Sequence, residues 1–300
     1  MTRYGSDAIV DLLEAAGIEH VALNPGATFR GIQDSIVQRP GSPSLALCMH
    51  ESVAVAVAHG YAKAAGRPMA VLLHNVVGLQ NASMAVYNAW CDRAPILLIG
   101  GTGPKSKARR RPWIDWIHTA NSQGEIVRNY VKWDDEPTDM ASVPESFARA
   151  ITAMSGEPAG PVYLCYDISL QEDELEEPLE LDLGGYPNPT APAPAPAALE
   201  RMAALLGEAR APVILAGHCG GRAEEMEALG DLAESLGAPV IDTGVRLALP
   251  TGHPPARLGV MSSSPRRTWS WHSTSTTSGC TWVRGSMQTT SRWSPPVSAT

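Results

Sequence analysis

The 300-residue chain is 44% hydrophobic and 18% charged, enough apolar content to bury a sizeable core and too much for disorder throughout. Its formal net charge of -8 is divided unevenly, because residues 253–300 hold five arginines and no Lys, Asp or Glu, leaving 18 basic and 31 acidic residues before them. That acidity gives no encouragement to nucleic acid or a membrane surface, and apolar runs such as Met69–Leu73 are far shorter than the roughly 18 residues of a spanning helix. No charged-then-apolar leader opens the chain, and the five cysteines lack C-x-x-C spacing, so they are expected to be thiols rather than a disulfide framework or a zinc site. The expected setting is cytoplasmic, with a small molecule or another protein as partner.

In chain order, a helix is predicted with Ser6 as N-cap and Ile9, Val10, Leu12 and Leu13 as its buried stripe, ended by Gly17. A strand follows over His20–Leu23. Further apolar runs at Leu45–Met49, Met69–Leu73, Pro95–Ile99 and Pro161–Tyr166 are separated by segments long enough for helices. This rhythm predicts an α/β fold, a parallel sheet flanked by helices, with ligands at the carboxyl ends of the strands.

The first domain is expected over 1–175, and an acidic, proline-alternating linker over 176–196. Over 197–252 the α/β rhythm restarts with helices at Ala197–Leu206 and Arg222–Leu236 and strands at Pro212–Ala216 and Pro239–Asp242, a partial second α/β domain. Residues 253–300 hold eleven Ser, eight Thr and four Trp with no period of 2 or 3.6. An irregular Ser/Thr-rich tail explains this, and so does a translational frameshift in a GC-rich gene, where out-of-frame Leu and Ala codons yield Trp, Arg, Ser, Thr and Pro.

Three strand ends carry candidate chemistry. The turn Asn24-Pro25-Gly26-Ala27-Thr28 lets the backbone approach a ligand closely, or is an ordinary strand-to-helix turn. His50-Glu51 opens an apolar helix, where Glu51 is either a capping residue or a functional carboxylate; partial desolvation is expected to raise its pKa, with the helix dipole opposing. His74 ends the next strand ahead of Gly78 and Asn81 and is suited to acid-base work or to a structural place.

From Asn24 to Gly100 the sequence resembles the pyrimidine-binding domain of thiamine diphosphate enzymes of the acetolactate synthase, benzoylformate decarboxylase and pyruvate decarboxylase superfamily. The Asn-Pro-Gly turn, the "HE" leading to "AHGYAKAAGRP", and "GLQN" before "YNAWCDRAPILLIGG" stand in that family's order and spacing. The resemblance implies that Glu51 is the activating glutamate, which hydrogen-bonds the aminopyrimidine ring nitrogen and promotes loss of the thiazolium C2 proton. It implies that His74 is a catalytic histidine, as in benzoylformate decarboxylase-like members, and that Pro25, Gly26, Gly78 and Asn81 line the pyrimidine. Ala27 replaces the small polar residue of benzoylformate decarboxylases, and Gly100-Gly101-Thr102-Gly103 lacks the Gln of acetolactate synthases, so neither substrate class is selected.

The resemblance implies a 2-oxo acid substrate, decarboxylation or carboligation, and a site shared between subunits, with the helix from Gly78 to Asp92 near a homo-oligomer interface. The family holds the diphosphate through Mg²⁺ on a further domain with a G-D-G motif, which does not occur in these 300 residues. Only the pyrimidine half of thiamine diphosphate binding is therefore expected from this chain, with Mg²⁺ entering if that domain is supplied and no metal ligand assigned here. A non-catalytic remnant or binding module, or a split-enzyme subunit completed by a diphosphate-domain partner, are the alternatives. His50-Glu51 does not continue as H-E-x-x-H, no G-x-S-x-G elbow is present, and Arg109-Arg110-Arg111 reads as a solvated loop or subunit contact rather than a nucleic-acid patch.

Overall fold

A computed structural model describes residues 2–111, 115–176, 179, 193–220, 222–254, 256–258, 268–277 and 280–288. The chain divides into two compact units, Met1–Pro192 and Ala193–Thr300. Most of the acidic, proline-alternating stretch, 177–178 and 180–192, lies outside the described residues, and its last residue, Pro196, opens the first helix of the second unit.

The first unit follows the predicted order: α1 (Gly5–Ala15), β1 (His20–Leu23), α2 (Arg30–Val37), β2 (Ser44–Leu47), α3 (Glu51–Ala65), β3 (Met69–Leu73), α4 (Asn75–Cys91) and β4 (Ile96–Thr102). Next come β5 (Asp134–Asp135), α5 (Val143–Ser155), β6 (Val162–Asp167) and α6 (Ile168–Glu172). The six strands are all parallel, in the order β2-β1-β3-β4-β6-β5. Every residue of β3 and β4 is buried, as continuous apolar runs in a two-sided sheet require. The pleat divides them between two cores. Ala70, Leu72, Leu97 and Ile99 face α1, α2 and α5, whereas Met69, Val71, Leu73, Ile96 and Leu98 face α3 and α4.

Two local expectations are corrected. The first helix is capped at Tyr4, whose backbone N–H donates to Asp7 Oδ2 at 2.9 Å, because the aspartate three residues on can reach back to it. Ser6 is instead buried, its Oγ 2.9 Å from Ser35 Oγ on α2. Among the cysteines, Cys48, Cys91 and Cys165 are free thiols, but Cys219 is in a disulfide. Spacing along the chain carried no sign of it.

The second unit holds α7 (Pro196–Gly207), β7 (Ile214–Ala216), α8 (Ala223–Leu236) and β8 (Val240–Asp242), within two residues of the predicted spans. Here β7 and β8 are parallel, and Ile214, Ala216, Leu229, Ala233 and Val240 form a small core. Further backbone strands at Ala256–Leu258, Thr268–Thr277 and Cys280–Gln288 complete a five-stranded sheet. The last two lie where no sequence period is legible, although Thr and Trp favour extended backbone. Among the described residues no helix is long and apolar enough to cross a membrane.

Candidate active site

The carboxyl ends of β1, β2 and β3 bring the candidate residues together, as a parallel sheet should. Residues 48–50 lead from β2 into α3. His50 is the N-cap, its Nδ1 accepting from Ser52 N–H at 3.2 Å, and Gly66 ends the helix in the left-handed conformation at φ 65°. Glu51 is therefore the first residue of α3, and the residue is only 5% exposed. At the far ends of the helices, Asp92 accepts from Lys63 Nζ at 2.6 Å and lies 2.9 Å from His59 Nε2, which ties α3 to the end of α4.

Two amides hold the Glu51 carboxylate. Asn24 Nδ2 donates to Oε1 and Asn81 Nδ2 donates to Oε2, each at 3.1 Å. Burial pushes this carboxyl up, but its own helix N-terminal N–H, Asn81, Asn24 and the nearby His50 outweigh burial and hold it below the usual glutamate range. This corrects the expectation of a raised value, which counted the apolar neighbours and could not count two amides brought from other elements. Glu51 is thus a carboxylate at neutral pH.

Glycine permits two close approaches in this site. A Cβ at Gly78 would come within 3.2 Å of Glu51 Cγ, and one at Gly26 would come within 2.4 Å of His74 Cβ. Gly26 therefore lets the β1 turn lie directly against His74, whose Nδ1 is 3.1 Å from Thr28 Oγ1. Gln171 Nε2 donates to the Thr28 carbonyl at 2.8 Å, and Gly101 passes so close to that carbonyl that a Cβ would sit 2.2 Å from it. Burial lowers the His74 pKa and the neighbouring His118 lowers it further, against the opposing pull of Glu51. The rings of His74 and His118 are 5.6 Å apart.

The structure thus gathers Gly26, Glu51, His74, Gly78 and Asn81, while Pro25 is exposed and makes no hydrogen bond to them. It brings Asn24 and Thr28 of the β1 turn into the same site and adds Asn75 and His118 to the residues singled out from sequence. Asn24 and Thr28 bracket the Pro-Gly turn, a signal that was visible. Nothing in the sequence marks His118, which reaches His74 from the segment Asp115–His118. Among the described residues no group of three or more His, Cys, Asp or Glu is placed to hold a metal ion. The basic run does not form an exposed patch of unpaired charge: Arg109 pairs with Asp173, Arg110 Nε donates to the Pro104 carbonyl at 2.8 Å, and Arg111 pairs with Asp115.

Two family models match the chain, the thiamine pyrophosphate enzyme N-terminal TPP binding domain over residues 3–126 and the thiamine pyrophosphate enzyme central domain over residues 199–269. The chain belongs to the thiamine pyrophosphate enzyme family. Benzoylformate decarboxylase of Pseudomonas aeruginosa is 29% identical over 251 residues, covering 82% of this chain and 46% of that protein. Acetolactate synthase 2 of Nicotiana tabacum is 30% identical over 256 residues, with coverage of 83% and 37%. Sulfoacetaldehyde acetyltransferase of Rhodobacter capsulatus is 31% identical over 251 residues, with coverage of 83% and 40%. The chain therefore spans less than half the length of these relatives. A Mycobacterium smegmatis structure described as a thiamin diphosphate-dependent enzyme shares the fold at 26% identity and a TM-score of 0.73, covering 85% of this chain and 48% of that one.

The donor set fits the pyrimidine end of thiamine diphosphate. It offers one buried carboxylate at a helix N-terminus, with both oxygens oriented by Asn24 and Asn81 and with Gly78 letting its side chain pack directly against the backbone of α4.

Proposed function

We propose that this chain contributes the pyrimidine-facing half of a thiamine diphosphate site in a protein that decarboxylates or ligates 2-oxo acids. The observation that carries this reading is the Glu51 carboxylate, buried at the start of α3 and held at both oxygens by Asn24 and Asn81. The names of the relatives, benzoylformate decarboxylase and acetolactate synthase, support the substrate class.

When bound, thiamine diphosphate supplies the electron sink for making or breaking a carbon-carbon bond beside a carbonyl. Glu51, ionised at neutral pH and almost fully buried, would accept a hydrogen bond from a protonated ring nitrogen and stabilise its charge. Asn24 and Asn81 keep the carboxylate in line. His74 holds or delivers a proton at the substrate side. Magnesium would be held at the diphosphate end, for which no residue of this chain is assigned. Comparison of wild type with Glu51→Gln tests the reading, through exchange of the cofactor's C2 proton.

The same reading includes pairing with a second copy through α4. Val77, Met84 and Tyr87 recur at intervals of seven and three residues, so they share one side of the helix, and they are 48%, 65% and 45% exposed. Val53 and Val57 of α3 and Trp90 add to the exposed apolar surface of these two helices. The wild-type chain is expected to sediment as a dimer or larger, and the double variant Met84→Lys/Tyr87→Lys as a monomer. A wild-type monomer at high concentration contradicts this part of the proposal.

A further inference from the structure

His74 has two ring nitrogens, and which one carries the proton decides whether it enters a reaction as donor or acceptor at a given atom. Its neighbour Asn75 is completely buried and has a φ of 36°, in the left-handed region that side chains other than asparagine and aspartate rarely enter. Such a conformation at the first residue of α4 is costly and persists only where surrounding contacts hold it. One contact is local: Asn75 Oδ1 accepts from Val77 N–H at 3.1 Å. This fixes the amide the right way round, since its nitrogen could not accept that bond.

The other end of the amide follows. Asn75 Nδ2 lies 3.3 Å from His74 Nε2. An amide nitrogen only donates, so the contact is a hydrogen bond when Nε2 carries a lone pair and a clash of two donors when Nε2 carries a proton. On the opposite side of the ring, Nδ1 is 3.1 Å from Thr28 Oγ1, a hydroxyl able to accept. The Thr28 N–H also points at Nδ1, at 3.5 Å, and favours a lone pair there; the shorter contacts, 3.1 Å from Nδ1 to Thr28 Oγ1 and 3.3 Å from Nε2 to Asn75 Nδ2, favour the opposite assignment.

We propose that Asn75 is a positioning residue for His74, holding the imidazole neutral with its proton on Nδ1, donated to Thr28, and its lone pair on Nε2. The proposal rests on the reading of His74 as the acid-base group, and it assigns the acceptor atom: a proton arriving at His74 is taken at Nε2, displacing the Asn75 amide. The groups around the ring leave a net preference for the neutral form. His118 disfavours the cation from the segment Asp115–His118, Glu51 favours it from α3, and burial disfavours it.

Histidine tautomers are read directly from long-range ¹H–¹⁵N correlation spectra of the ¹⁵N-labelled 300-residue chain, with His74 assigned by its loss in His74→Gln. In wild type, His74 is expected as the Nδ1–H tautomer. Asn75→Asp keeps the acceptor for Val77 N–H and the tolerance for positive φ, but presents a carboxylate oxygen to Nε2. There the proton is expected to move to Nε2, with the His74 pKa rising by about one to three units. Asn75→Gly, which keeps the backbone conformation and removes both contacts, is expected to show a mixture of tautomers.

An Nε2–H tautomer in wild type overturns the proposal, as does an unchanged tautomer in both Asn75 variants when their amide spectra show the fold retained. No cofactor is needed, so the result is separable from the functional reading. If the tautomers follow expectation but His74→Ala slows no step of catalysis, the acid-base role falls and the placement by Asn75 stands. If His74→Ala slows catalysis and the wild-type tautomer is Nε2–H, the reverse holds.

Discussion

Gly101→Ala is expected to destabilise the first unit by about 3 kcal/mol, the upper part of the usual range for overpacking, and to misplace His74. The added Cβ would sit 2.2 Å from the Thr28 carbonyl oxygen and 2.6 Å from its carbon, both backbone atoms that cannot swing aside. Gln171, fully buried, donates to the same carbonyl at 2.8 Å and holds it in place. Relief therefore requires moving Thr28, and with it the hydroxyl that faces His74. For a unit of this size the loss corresponds to a fall in Tm of about 6–12 °C. Gly60→Ala is the matched control. It lies within α3, where a new Cβ meets nothing within 4 Å, and it should stabilise by about 1 kcal/mol through helix propensity. Thermal unfolding of the two variants beside wild type checks both signs, and equal stability of the two would contradict the packing around Thr28.

His74→Ala is expected to slow proton transfer to or from the bound substrate by about 10²- to 10⁴-fold, the usual worth of a positioned acid or base. The effect belongs on that step because His74 faces Thr28 and His118, whereas the Glu51 oxygens are held by Asn24 and Asn81. Exchange at the cofactor's C2 should stay within a few-fold of wild type. Pre-steady-state measurement of the two steps separates them. An equal loss at both would mean that His74 supports the Glu51 end of the site, or the fold, and has no acid-base role of its own.

The sheet was legible because its strands are continuous apolar runs, such as Met69–Leu73, flanked by turn residues. The two-residue strand Asp134–Asp135 was not, because two acidic residues at a sheet edge carry no hydrophobic signal and owe their place to pairing with Tyr163 and Leu164. Glu51 and His74 stood out as polar groups at strand ends. The direction of the Glu51 pKa did not, because it depends on amides 27 and 30 residues away. The pair Gly100-Gly101 was visible as a motif, but its cause lies in the Tyr163 hydroxyl and Thr28 carbonyl that fill the places of the missing side chains. His118 and Asn75 left no local trace, since each matters only through the ring of His74.

The role of Glu51 is tested most directly by hydrogen-deuterium exchange at C2 of bound thiamine diphosphate, in wild type and Glu51→Gln, at saturating cofactor and Mg²⁺. The diphosphate-binding half is supplied in cis or in trans where the 300-residue chain does not saturate. Glutamine keeps the size of the side chain and can still accept a hydrogen bond, but it carries no charge to stabilise a protonated ring nitrogen. Exchange in Glu51→Gln is expected to be slower by about 10²-fold or more, with cofactor affinity changed far less. Exchange at the wild-type rate would contradict the assignment of Glu51 as the group that activates the cofactor.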